Sequence, residues 1–306
     1  MPLSIIRSEE GRFRGEPAVV LQNGDLRAVF VPGLGMTGVS LRLRGKEYLA
    51  LPGGLDALRA GHTGGLPLLA PWANRLAGMR YKVGSRSVDL TGLGVHTDAN
   101  GLPIHGLLVG RPGWEVRELR HKRGTASVLA TLDVDELAFP FPHRLEVEAH
   151  VHEDRLVVST TVVPTGKRAV PIAFGWHPYL RLPGSARHTW NLRLPRREHL
   201  LLDAHGIPTG ERVAEVAQVM PIARRTFDDL YALGSRRVLG LDAPDGTAIE
   251  VRTDAAYPYA QVWVPPGKSF AALEPMTAPT DALRRGAVEM VGPGDSHRAR
   301  FTMLVR

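Results

Sequence analysis

The sequence predicts an all-β protein built mostly of antiparallel strands. Three observations carry that prediction. Apolar and polar residues alternate with period two in several runs, Gly and Pro punctuate the whole chain, and helical periodicity is scarce. The 33 Gly and 24 Pro among 306 residues exceed average usage without gathering into a linker, so they read as turns between many short elements.

The elements follow in order. Leu26–Val31 reads as a strand, and Asn23-Gly24 before it as a turn. Gly33-Leu34-Gly35-Met36-Thr37-Gly38 matches the spacing of a dinucleotide-binding loop, which requires a helix next to seat the pyrophosphate. The next segment, 39–44, alternates instead, with Val39, Leu41 and Leu43 opposite Ser40, Arg42 and Arg44, so the glycines mark a hairpin. Segments 55–59 and 213–218 are each expected to form a turn or two of helix. Asn100-Gly101 and Asp245-Gly246 read as further hairpin turns. Segment 145–152 sets Leu145, Val147, Ala149 and Val151 against Glu146, Glu148, His150 and His152, and 155–163 is rich in β-branched residues. No repeat of fixed period and no boundary appears, so residues 1–306 are expected to form a single domain.

Composition narrows the function. With no cysteine, disulfide frameworks, Cys-ligated metals and thiol nucleophiles are excluded. The net charge of +7 comes from 33 Arg and five Lys scattered along the chain, with only short basic runs such as 120–123. Nucleic-acid binding calls for clustered cations interleaved with aromatics, and is not expected. Residues 1–15 lack the apolar core of a signal peptide, and no run approaches 18 apolar residues, so a cytoplasmic protein without membrane contact is expected. Gly267-Lys268-Ser269 ends like a phosphate-binding loop, but Val262 stands where its first glycine belongs. His150 and His152 share a strand face with Glu146 and Glu148, which reads as a solvated face and not as a metal site.

Four segments differ from strand filler. Pro71-Trp72-Ala73-Asn74-Arg75-Leu76 sets an amide beside a guanidinium. Asn100-Gly101-Leu102-Pro103-Ile104-His105-Gly106 presents an imidazole after a turn. Gly175-Trp176-His177-Pro178-Tyr179 places a histidine between aromatics, and Ala272-Leu273-Glu274-Pro275-Met276-Thr277 ends an apolar strand with a carboxylate. Together they resemble the aldose 1-epimerase (galactose mutarotase) family. Its arginine motif is similar to Ala73-Asn74-Arg75-Leu76, its first histidine motif to Ile104-His105-Gly106, and its second to His177-Pro178-Tyr179. Its base motif is similar to Leu273-Glu274-Pro275-Met276-Thr277, and its aspartate motif to Asp228-Asp229-Leu230-Tyr231. The five come in the family's order across 73–277. Leu107, Leu180-Arg181-Leu182 and Met276 depart from the family pattern and bear on which sugar is preferred. The adjacent Asp229 leaves the aspartate position open by one residue.

The resemblance implies a β-supersandwich and the interconversion of α and β anomers of a free aldose. That chemistry needs a base for the C1 hydroxyl and an acid for the ring oxygen, so one carboxylate and one imidazolium are sufficient without metal or organic cofactor. Carried onto this sequence, it makes Glu274 the base and His177 the acid. Arg75, His105, Asp228 and Asn74 bind sugar oxygens, and Trp176 or Trp263 offers an apolar face. The sequence leaves three alternatives. The first is a mutarotase of hexose 6-phosphates, suggested by Arg181, Arg224 and Arg225. The second is a non-catalytic sugar-binding protein, and the third a glycosidase using Glu274 with Asp228.

Overall fold

Two large sheets, whose strands pair antiparallel, dominate the computed structural model, which describes residues 5–122 and 124–306. Residues 1–4, at the head of the N-terminal stretch read above, and Arg123 of the basic run lie outside the described residues. The larger sheet has nine strands, with His297–Val305, Arg155–Pro164, Phe139–Val151 and Thr125–Glu136 adjacent in that order. The second has eight, and its centre runs Arg197–Leu202, Phe227–Leu233, Tyr259–Val264, Ala271–Met276, Gly175–Trp176. A five-stranded meander over 6–47 completes the main framework.

The period-two pattern explains why the large sheets face each other. Along Phe139–Val151 burial alternates without a break, and Leu145, Val147, Ala149 and Val151 all join the main apolar cluster. Glu146, Glu148, His150 and His152 face away from it; Glu148 pairs with Arg298. From the eight-stranded sheet, Tyr231, Val262, Val264 and Leu273 enter the same cluster. Each such side chain contributes about 1.5–3 kcal/mol when fully buried. The indole N–H of Trp176 donates to Thr160 Oγ1 at 3.0 Å and so ties one sheet to the other.

Most expected elements form, and three details differ. The glycine-rich segment is a hairpin as expected: a short 3₁₀ turn, Pro32–Leu34, leads into Thr37–Leu43, which pairs with Leu26–Val31. However, the register jumps between Val29↔Ser40 and Phe30↔Gly38, leaving Val39 as an extra, bulged residue. Val39 therefore packs with Val29 and Val31, away from Leu41. Segment 55–59 lies in the helix Gly54–Arg59, whose Leu55 and Leu58 cover that second face. The helix expected at 213–218 does not form. Val213 pairs with His199 in strand Pro208–Glu215, and a second strand begins at Gln218, because β-branched Val213, Val216 and Val219 suit edge pairing better than a helical turn. Asn23-Gly24 and Asp245-Gly246 join paired strands, whereas Asn100-Gly101 turns a loop outside the named strands that carries the bridge Thr97↔Pro103. Among the described residues no helix is long and apolar enough to cross a membrane.

Candidate active site

Strand register assembles the site on the face of the eight-stranded sheet that points away from the main core. Leu230, Gln261 and Glu274 stand opposite one another across three strands, and one step along lies the row Asp228, Trp263, Ala272, Tyr179. Because side chains alternate, Leu273 and Val262 enter the core while Glu274 and Gln261 face the site. The chain must come close here. A Cβ on Gly175 would lie 2.7 Å from the Pro275 carbonyl oxygen and 3.0 Å from the Ala73 Cβ. Only glycine lets the strand that leads into His177 lie against the one bearing Glu274.

Glu274 and His177 are 2% and 4% exposed, and Glu274 Oε1 lies 3.3 Å from His177 Nε2. Burial, reinforced by Asp228 and partly offset by Arg75, pushes Glu274 well above the usual carboxylate range. Burial pushes His177 down to about 3, so the resting ring is neutral. The imidazolium expected from the sequence is therefore absent from the resting state, because the site excludes the water that would solvate it. His177 stacks on Tyr179 with ring centroids 4.5 Å apart, and Tyr179 hydrogen-bonds through its hydroxyl with Thr63 Oγ1 at 2.5 Å.

His105 meets His177 edge-on at 5.5 Å, and burial, His177 and Arg75 together push its ring well down. Asn74 and His105 both have left-handed backbones, with φ of 55° and 65°. Such conformations cost non-glycine residues about 1–3 kcal/mol each and persist where the surroundings enforce them. Here the His105 N–H donates to the Asn74 carbonyl at 3.0 Å, and Arg75 bridges to Ile104. Arg75 donates from Nε to Asp98 Oδ2 at 2.8 Å and from Nη1 to Asn74 Oδ1 at 3.2 Å.

The fold separates the two adjacent aspartates. Asp228 is exposed on the Glu274 face and accepts a hydrogen bond from Gln261 Nε2 at 2.6 Å. Asp229 points to the other face, where it takes the Tyr231 hydroxyl at 3.1 Å and lies 3.6 Å from His199 Nε2. The tryptophans separate likewise. Trp176 is fully buried in the core, and Trp263 is half-buried on the site face, 5.5 Å from His177.

All six residues picked from the sequence thus gather at one place. Sequence reasoning missed Gln261 and Asp98. Gln261 carried a signal, as the one amide in the otherwise apolar and aromatic strand Tyr259–Val264. Four buried polar atoms here find no protein partner among the described residues: His105 Nδ1, His177 Nδ1, Gln261 Oε1 and Glu274 Oε2. Each costs about 1–3 kcal/mol unless something answers it. Together they suit a ligand dense in hydroxyl groups. A cleft of about 640 Å³ shares His105 with this site and is lined also by His96, Thr97, Arg111 and Glu136.

Comparison with known proteins adds to this geometry. The family model described as aldose 1-epimerase matches residues 17–304. The fold is similar to that of a galactose mutarotase-like protein from Clostridium acetobutylicum, at a TM-score of 0.88 and 19% identity over 98% of both chains. It is similar to a galactose 1-epimerase from Lactobacillus acidophilus, at 0.79 and 14% identity over 99% of both chains. An aldose epimerase homologue from C. elegans matches at 0.74 and 16% identity, over 92% of this chain and 95% of that one. No curated protein matches the chain in sequence.

Proposed function

Because the chain belongs to the aldose 1-epimerase family, we propose that Glu274 and His177 open and reclose the ring of a free aldose, interconverting its α and β anomers. The observation that carries this assignment is the 3.3 Å contact between Glu274 Oε1 and His177 Nε2. Ring opening takes a proton from the C1 hydroxyl and gives one to the ring oxygen. Both oxygens are bonded to C1, so the groups that serve them must be immediate neighbours.

The pair needs one proton between its two members. Burial opposes charge on either, so the resting pair holds that proton on the Glu274 carboxyl beside a neutral His177. Passing it from Oε1 to Nε2 makes a carboxylate and an imidazolium. The carboxylate removes the C1 hydroxyl proton, and the O–H electron pair forms the C1 carbonyl. The bond from C1 to the ring oxygen breaks, and the imidazolium protonates that oxygen. Glu274 ends protonated and His177 neutral, as they began. Rotation about the C1–C2 bond and the reverse steps give the other anomer.

Arg75 and Asn74 donate to sugar oxygens, Asp228 and Gln261 Oε1 accept from sugar hydroxyls, His105 polarises the ring-oxygen end, and Trp263 covers an apolar face of the ring. An uncharged sugar is favoured over a phosphorylated one. In the neighbouring cleft Arg111 is taken by Glu136, and burial keeps His105 neutral. Arg181, Arg224 and Arg225 stand exposed. The same assignment makes a small sugar the protein's partner.

Proton NMR in deuterated water tests the proposal. A freshly dissolved aldose should equilibrate its anomers faster than in buffer and acquire no carbon-bound deuterium. Its methyl glycoside, which has no C1 hydroxyl, should be neither epimerised nor cleaved. Methanol release would mean a glycosidase, and anomers relaxing at the buffer rate would mean a sugar-binding protein.

A further inference from the structure

Arg75 is held between two loops that repeat one another. Asp98-Ala99-Asn100-Gly101-Leu102 and Asp203-Ala204-His205-Gly206-Ile207 share the pattern Asp-Ala-x-Gly-aliphatic. They also share a geometry. In each, the aspartate Oδ1 accepts backbone N–H groups from two and four residues on, at 2.8 and 3.0 Å. In each, the glycine N–H donates to the aspartate carbonyl at 3.0 Å, and the glycine φ is near +75°, at 75° and 74°. The loops meet Arg75 from two directions. Asp98 accepts from its Nε at 2.8 Å, and a Cβ on Gly206 would lie 3.0 Å from its Nη1. The Asp98 side chain is only 10% exposed, so this pair is shielded from solvent.

We propose that the two loops clamp the Arg75 guanidinium in a single orientation, with Asp98 as a positioning residue and Gly206 as the wall behind it. Nε and Nη1 are taken by Asp98 and Asn74, while among the described residues Nη2 has no hydrogen-bond partner and faces the task of binding a sugar oxygen. A long, flexible side chain thus meets the substrate already oriented, and this ordering raises catalytic efficiency without adding any contact to the sugar. The inference rests on the proposed mutarotase function for its readout, but the clamp itself is a claim about Arg75.

A double-mutant cycle separates positioning from structural support. Asp98→Asn keeps an Oδ1 for the two loop N–H groups and removes the charge that holds Nε. It should lower kcat/KM for α-D-glucose about ten-fold in the wild-type background. In the Arg75→Ala background, where nothing remains to position, it should change kcat/KM less than about two-fold. Gly206→Ala should behave the same way, losing efficiency only where Arg75 is present, while any strain at its left-handed backbone lowers Tm in both backgrounds. An unchanged kcat/KM for Asp98→Asn, or an equal loss in both backgrounds, would overturn the clamp. If the wild type binds glucose without turning it over, the mutarotase reading fails. The same cycle is then read as Kd by calorimetry, with the same pattern required. A wild type that neither binds nor converts any of a panel of free aldoses overturns both.

Discussion

Leu273 and Glu274 are consecutive on one strand and almost equally buried, yet they look into opposite environments. Leu273 meets Val262 across the strand pair and the inner face of the nine-stranded sheet beyond it. Near that interior the Trp176 indole N–H is matched by Thr160 Oγ1. Glu274 instead faces His177, Gln261 and His105, each with a buried polar atom that finds no partner among the described residues. One face of the eight-stranded sheet contributes stability, and the other gives some of it up to keep groups ready for a ligand. The contrast shows why a carboxylate with a raised pKa is tolerated one residue away from a leucine in the core: the pleat turns every second side chain out of it.

Removing the proposed base should break the contrast most. Glu274→Gln is expected to lower kcat by about 10²–10⁴-fold while sugar affinity persists. The same change should raise stability, by an amount that grows with pH. The unfolded chain releases this proton near the ordinary carboxylate pKa, whereas the folded chain holds it to higher pH. Wild-type stability therefore falls as pH rises across that interval, and glutamine carries no such loss. The Tm gain of Glu274→Gln should be larger at pH 8 than at pH 4. A Tm difference independent of pH would place Glu274 in a less desolvated setting than its burial indicates.

On the other side of the strand, Leu273→Ala should cost about 2–5 kcal/mol of stability by denaturant unfolding. The protein that remains folded should keep kcat within about three-fold of wild type, because Leu273 contacts the core and the base turns away from it. A collapse of kcat with little loss of stability would merge the two faces that the structure separates.

The smallest effect gives the finest test. Asp228→Asn should raise KM about ten-fold, within the range of one hydrogen bond to a charged group. Asp229→Asn, one residue along, should leave KM and kcat within about two-fold and alter only stability, since its partners are His199 and Tyr231. Equal kinetic effects at the two positions would contradict the assignment of faces.

Much of this was legible in the sequence. The alternation in 145–152 marks a sheet with one buried face, and the structure keeps that pattern residue for residue. The motif residues Asn74, Arg75, His105, His177, Asp228 and Glu274 are picked out by the resemblance of their motifs, in order, to the aldose 1-epimerase family, with the aspartate left open by one position. Gln261 was less visible, because a single amide in an apolar strand acquires meaning only from what lies across the sheet. Asp98 was hidden for a similar reason: its turn is written locally, but its charge is spent on Arg75, 23 positions away.

What the sequence by itself determined is the set of local choices: strand against helix, where turns fall, and which residues bring reactive groups. Those depend on side-chain period and backbone preference within a few residues. Tertiary structure alone decided the rest. The bulge at Val39 turned a side chain to the opposite face from its alternating neighbours. Strand pairing chose Asp228 over Asp229 and Trp263 over Trp176 for the site face. Burial decided how the proposed acid–base pair titrates, lowering His177 and raising Glu274, because the cost of a charge depends on the water that the assembled sheets exclude.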